Sequence, residues 1–282
     1  MLATFLALTL VKATPLIFAA LAGVACERAG VLNIALEGAL TVGAFAAVAA
    51  SFATGNPLVG LAAGVALGAL LSTLLGVAAT RFGVDQIVAG TGLNLLAAGG
   101  TAFAVVVMFG TPGASPEVHA LGARGEAALV VAAFACALFL HAFFSMTPWG
   151  LRWRACGENP MALRSAGVDP ARLRVVATAL SGALAGLGGA FLSIGELDIY
   201  SDGMTAGRGF IALAAVIFGR WTPLGATAAA LAFGALSALQ FLLQRSGIPS
   251  ELMQALPYLA ALAALTGITG RTRAPKADGV PL

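Results

Sequence analysis

Polar positions are so sparse along this chain that long hydrophobic stretches, rather than short alternations, mark its elements. Crossing a bilayer as a helix takes about 20 apolar residues. Such stretches lie near residues 6–26, 31–53, 57–80, 86–109, 126–146, 175–195, 223–244 and 253–270. A further one, 207–220, is too short for an ordinary span and predicts a broken or half-depth helix. The expected fold is all-α: a polytopic membrane protein of about 8–9 transmembrane helices in a single domain, 1–282.

One stretch breaks the pattern. Trp149 to Arg174, WGLRWRACGENPMALRSAGVDPARLR, holds Arg152, Arg154, Arg164, Arg172 and Arg174 with Glu158, Asp169, Pro160 and Pro170. Each arginine at the membrane centre costs about 2.5–3.5 kcal/mol, so this segment lies in water, and its positive charge places it in the cytoplasm. Between the breakers, Met161 to Ala166 predicts one short helix that Gly167 ends in a left-handed turn. The residues alone fit a docking surface for a cytoplasmic partner or a basic loop that only sets topology.

With that loop inside, alternation places Arg28, Arg81, Arg220 and a short tail, 271–282, inside as well. The N-terminus, Arg124, Arg208, Arg245 and the acidic turn of Glu196, Asp198 and Asp202 then fall outside. Lys12 reaches the outer interface, where it can snorkel.

An internal similarity adds architecture. PLVGLAAGVALGALLST from Pro57 aligns without gaps to PLGATAAALAFGALSAL from Pro223, matching Gly68 to Gly234, and Ile-Ala-Leu precedes each copy, at 34–36 and 211–213. The two copies run in opposite directions through the predicted membrane. This is an inverted internal repeat, and in transporters the pathway lies at the repeat interface. Small residues four apart, such as Gly64 with Gly68 and Gly182 with Gly186, predict close helix packing.

Composition narrows the function. Of 282 residues, 60% are hydrophobic and 10% charged, with a mean hydropathy of +0.96, whereas soluble domains carry about 25% charged residues. The net charge of +3 follows topology rather than one face, so no nucleic-acid partner is expected. Cys26, Cys136 and Cys156 have neither disulfide nor metal spacing. His119 and His141 carry no evident role. The first residues lack a basic signal-peptide region, so the N-terminus is expected to be retained. No phosphate loop or catalytic cluster is present, so no cofactor and no covalent chemistry are expected in this chain.

Polar residues inside spans are functional candidates. Asn33 and Glu37, four apart, are expected to share one face at the start of the second span. Asn94 lies within the fourth, with Asp85 and Gln86 at its entry. Glu37 reads as a pathway-lining or gating group, or as a structural carboxylate. Gly207-Arg208-Gly209-Phe210 opens the short element, so Phe210 joins Asn33, Glu37 and Asn94 as a pathway candidate; Arg208 there reads as a gate or as an interfacial anchor.

At these residues the chain resembles a known family, the permease subunits of bacterial ABC importers in the branched-chain amino acid, ribose and nucleoside group. The resemblance rests on ERAGVLNIALEG (27–38), DQIVAGTGLNLLAAG (85–99), RACGENPMALRSAGV (154–168), SGALAGLGGAFLSIG (181–195) and MTAGRGFIALAAVIFGRWTPLGA (204–226). GRGFIALAAVIFGRWTP is most similar to the nucleoside or purine importers.

The resemblance implies a multi-pass permease of the bacterial inner membrane. It also implies a cytoplasmic ABC ATPase, a second permease subunit in a heterodimer and a substrate-binding lipoprotein. Arg154, Glu158, Met161, Ala162, Arg164 and Gly167 become candidates for coupling to the ATPase. Where the general ABC-permease loop begins Glu-Ala-Ala, with its glycine six residues after the glutamate, this chain has Met161, and only Ala162 and Gly167 fit. The rival classes are a proton-coupled secondary transporter using Glu37, an assembly protein without a conduit, and an importer for ribose-type sugars or branched-chain amino acids.

Overall fold

The computed structural model describes residues 2–243, 259 and 274–280. Seven described helices are long and apolar enough to cross a membrane. They are α1 (Leu2–Glu27), α2 (Leu36–Thr54), α3 (Pro57–Arg81), α4 (Gln86–Phe109), α5 (Gly122–Met146), α8 (Pro170–Ala190) and α10 (Pro223–Leu243). A wide π-helical turn, Phe191–Leu197, prolongs α8. Between α5 and α8 lie two short helices, α6 (Pro148–Glu158) and α7 (Pro160–Ser165). The short seventh stretch is α9 (Arg208–Phe218), 11 residues and about 16 Å long, half of a bilayer's hydrocarbon core. Apart from Leu259, the stretch expected at 253–270 lies outside the described residues, as do Arg245, Arg271 and Arg273.

Prolines and polar caps set these boundaries. Asn56, Thr147, Asn159 and Asp169 each precede a proline in the first helical turn and accept a backbone N–H of that turn. Proline there sacrifices a donor that has no intrahelical partner, and the cap satisfies another.

The bundle is held by backbones in near contact. Gly64 and Gly68 of α3 are themselves the partners of Gly182 and Gly186 of α8: a Cβ on Gly182 would collide with Gly68 O, and one on Gly186 with Gly64 O. On the other side, a Cβ on Gly234 of α10 would strike Ala13 of α1. Lipid offers no hydrophobic drive for helix association, so this close van der Waals contact supplies it.

Neighbour contacts fix directions. Lys12 of α1 pairs with Glu196 after α8, while Ala25 near the end of α1 meets Trp153 of α6. Trp221, just before α10, meets Glu27, and Lys12 stands 5.5 Å from the Phe241 ring near the end of α10. Thus α1–α2–α3 and α8–α9–α10 run in opposite senses, and the pairs α3 on α8 and α10 on α1 are equivalent. This is the geometry that the internal repeat predicts. Lys12, expected to snorkel at the interface, is instead held in an ion pair at the acidic end of the bundle.

Candidate translocation cleft and docking face

Both halves contain a break in their helices. The first spans residues 28–35, between α1 and α2. Gly30 has φ +87°, and a Cβ there would meet the Arg174 guanidinium at 2.8 Å, so only glycine suits it. Unwound backbone among apolar helices needs substitute partners. Here α4 supplies them: Gln86 Oε1 accepts Leu32 N–H (2.7 Å), Asn94 Nδ2 donates to Ile34 O (2.9 Å), and Asn94 Oδ1 accepts Gly38 N–H (2.7 Å).

Asn33 sits in this unwound stretch and not on a helix, so it does not share a helical face with Glu37. The reason is the break itself, which delays α2 to Leu36. Its side chain is fully buried between α3 and α8, donating to Ser181 Oγ (2.9 Å) and Ser72 Oγ (3.4 Å), and Oδ1 has no hydrogen-bond partner among the described residues.

The second break, residues 198–207, leads from the π turn to α9. Asp198, Ala206 and Gly207 take positive φ. Glu37 closes the break from α2. One carboxylate oxygen accepts Thr205 Oγ1–H (2.7 Å) and Gly207 N–H (2.8 Å), and the other accepts Gly209 N–H (2.7 Å). A helix N-terminus leaves orphan donors and carries partial positive charge, and a carboxylate answers both. Thr41 and Thr205 add a hydroxyl pair at 3.1 Å. Arg208, expected at the outer interface, lies at the level of Glu37 because α9 starts inside the bundle; its guanidinium donates to Met204 O (2.7 Å) and Thr205 O (3.2 Å).

Between α2, α4 and the second break is a cleft of about 400 Å³, lined by Glu37, Thr41, Asn94, Thr101, Tyr200 and Asp202 among others. Tyr200 donates to Thr101 Oγ1 (2.9 Å) and is itself buried. The cleft thus unites Glu37 with Asn94. Asn33 is walled off between α3 and α8, and Phe210, half exposed on α9, is not among the lining residues. Thr205 falls within the 204–226 motif without being singled out there, and Tyr200's only signal is its type, one of two tyrosines in the chain.

At the opposite end from the Lys12–Glu196 pair, the arginine-rich segment forms α6, α7 and the start of α8. The short helix is Pro160–Ser165, followed by Gly167 at φ +80°. Leu163 is its anchor, while Met161, Ala162, Arg164 and Gly167 are exposed, as is Glu158 on α6. Arg154 is half buried, with Nε lacking a hydrogen-bond partner among the described residues.

This face is tied to the first break. Trp153 Nε1 donates to Ala25 O (2.7 Å), and Gly157 lies so close to Arg28 that a Cβ would collide with Arg28 O. Arg28 Nε donates to Trp221 O (2.6 Å), and burial, with Arg154 nearby, lowers the Arg28 pKa against the pull of Glu158. The described tail, 274–280, completes the knot. Ala277 N–H donates to Gly157 O (2.8 Å), and Arg174 donates to Val280 O (2.7 Å) and Ala277 O (3.0 Å). Burial pushes the Asp278 carboxyl up to about 7, opposed by Arg174 and the Gly279 N–H.

The family described as branched-chain amino acid transport system, permease component, matches residues 5–265. The guanosine ABC transporter permease protein NupQ of Bacillus subtilis is 38% identical over 97% of this chain and 94% of its own. The nucleoside ABC transporter permease protein NupC of Lactococcus lactis is 35% identical over 96% and 94%. A putative glucose ABC transporter permease protein of Haloferax volcanii, TsgC13, is 32% identical over 82% and 75%. No solved structure matches the chain.

Proposed function

The chain belongs to the family of branched-chain amino acid transport permease components, and from that premise we propose that it imports a nucleoside or purine by ATP-driven alternating access. It is a membrane-spanning transport subunit, and hydrolysis of ATP resides in a separate cytoplasmic ATPase. A second permease subunit and a substrate-capturing lipoprotein complete the importer in the bacterial inner membrane. The domain is one unit, 1–282, with coupling loop 149–174 and cytoplasmic tail 271–282; the N-terminus is outside.

The observation that carries this reading is the meeting of two broken helices beside a polar cleft of about 400 Å³. Discontinuous helices at the repeat interface bind substrates in transporters, and this volume lies within the range of small-molecule sites. Glu37, Asn94, Thr101, Tyr200 and Asp202 offer hydrogen-bonding groups suited to a base and a ribose. Asn33 serves the pathway indirectly, by holding the first break between α3 and α8, and Phe210 borders the second break.

Coupling follows from the knot at the arginine-rich end. Met161, Ala162, Arg164 and Gly167 face the ATPase, with Glu158 and Arg154 beside them. Force on α7 reaches the first break through Gly157 against Arg28 and Trp153 on Ala25. The test is uptake of labelled guanosine, adenosine and ribose by vesicles holding the complete importer, with and without ATP. ATP-dependent nucleoside uptake is expected, lost on Arg164→Glu or Gly167→Leu while ATP hydrolysis persists. Ribose uptake alone would move the substrate; uptake by this chain alone under a proton gradient would overturn the mechanism.

A further inference from the structure

Three arginines at the basic end turn inward: Arg28 and Arg174 donate to backbone carbonyls, and Arg154 is half buried. Arg81 and Arg172 do not. Arg81 ends α3 and Arg172 lies in the first turn of α8, both exposed, and they flank a cleft of about 530 Å³ between the two helices. Val77, Val175 and Val176 form its apolar wall, and Val176 is 56% exposed on the face a bilayer would cover. One carboxylate borders it, Asp169, whose Oδ2 lies 3.2 Å from Arg172 Nε and whose Oδ1 caps α8. Among the described residues Arg81 has no ion-pair partner. A second hollow shares Arg172 and Val176 and holds Trp149, an aromatic of the kind that settles at headgroup level, with Arg152 stacked 4.8 Å from its ring.

We propose that the cleft between the basic ends of α3 and α8 binds an anionic phospholipid of the cytoplasmic leaflet. A phosphate monoanion sits between Arg81 and Arg172, and an acyl chain lies along Val77, Val175 and Val176. Each half alone is unremarkable, since basic residues collect at this membrane face anyway. The two together match one amphiphile, a charged head at headgroup depth above an apolar tail path, and basic pockets between helices on this side bind such headgroups. The site adjoins α7 through Asp169 and Arg172, so an occupying lipid braces the coupling loop where it joins α8.

The test takes the complete importer in nanodiscs of equimolar phosphatidylglycerol and phosphatidylcholine, with the lipids retained by this chain counted by native mass spectrometry. Wild type is expected to retain phosphatidylglycerol preferentially. Arg81→Gln and Arg172→Gln each lower that preference about fivefold, and together about 25-fold, the effect of removing one surface cation near a charged headgroup each time. Arg124→Gln at the opposite end, with the same change of net charge, leaves it unchanged. An unaltered preference in the double variant overturns the proposal. So does displacement of the lipid by soluble glycerol phosphate, which would make the site one for free phosphate. A preference seen only when the ATPase is omitted also overturns it, since the cleft would then belong to that partner.

Discussion

The two broken helices solve one problem by different chemistry. In the first break, neutral amides on α4, the helix that follows α1–α3 in the chain, bind the unwound backbone at Leu32 and Ile34 and the first turn of α2 at Gly38, and all three bonds stay on the N-terminal side of the molecule. In the second, one carboxylate from the opposite half takes Thr205, Gly207 and Gly209 together. Amides spread over two residues fix a segment rigidly to its own half. A single charged group between halves makes the α9 entry depend on how the halves sit. The first break therefore reads as frame and the second as the moving part.

Glu37→Ala is the most severe test of this contrast. It strands two backbone donors and a hydroxyl, and hydrogen bonds to a charged group are worth about 1.5–3 kcal/mol each. A loss of at least about 3 kcal/mol is expected, read as a lowered unfolding temperature of the purified permease, with uptake abolished. Glu37→Gln, which keeps one acceptor oxygen but turns an NH2 toward a backbone donor and adds no cavity, should lose less stability than Glu37→Ala but still most of its uptake. Asn94→Ala should cost about 1–3 kcal/mol, because its two backbone partners lose neutral bonds. The residual uptake per folded Asn94→Ala molecule should exceed that of Glu37→Gln. The reverse order in that transport comparison would make α4 the mobile side and sink the assignment of frame and moving part.

Much of this was legible from residues alone. The spans among the described residues were, because a membrane selects long apolar runs, and α9 announced itself by being too short. The glycine pairs were visible as pairs, though nothing in their spacing said that Gly64 and Gly68 would pack on Gly182 and Gly186. Asn33 was misplaced onto a helix because Gly30, one glycine of 36 in the chain, gives no sign that it takes positive φ. Glu37 stood out as costly, but its donors are backbone amides some 170 residues away, and backbone amides have no sequence signature. The tail contacts were illegible for the same reason: Arg174 and Gly157 meet carbonyls and an amide of 277–280.

That tail supplies the smallest expected effect, and it bears on the frame. Ala277 O lies against Gly30, so the strap clamps the start of the first break. Asp278 titrates near 7 when docked against an ordinary carboxyl value of 3.8. The docked tail thus keeps a proton that the released tail has lost, and docking binds more protons than release. Docking is strongest below about pH 4, weakens as pH rises toward 7, and is level above that, by at most about tenfold per pH unit. Trypsin cleavage after the exposed Lys276 reports release, and the ratio of wild type to Asp278→Asn at each pH cancels the protease's own pH dependence. The ratio should climb between about pH 5 and 7 and then flatten, since asparagine stays neutral throughout. A ratio constant over that interval would show that Asp278 is not buried in the docked tail, and the clamp on the first break would then rest on Arg174 and Gly157 alone.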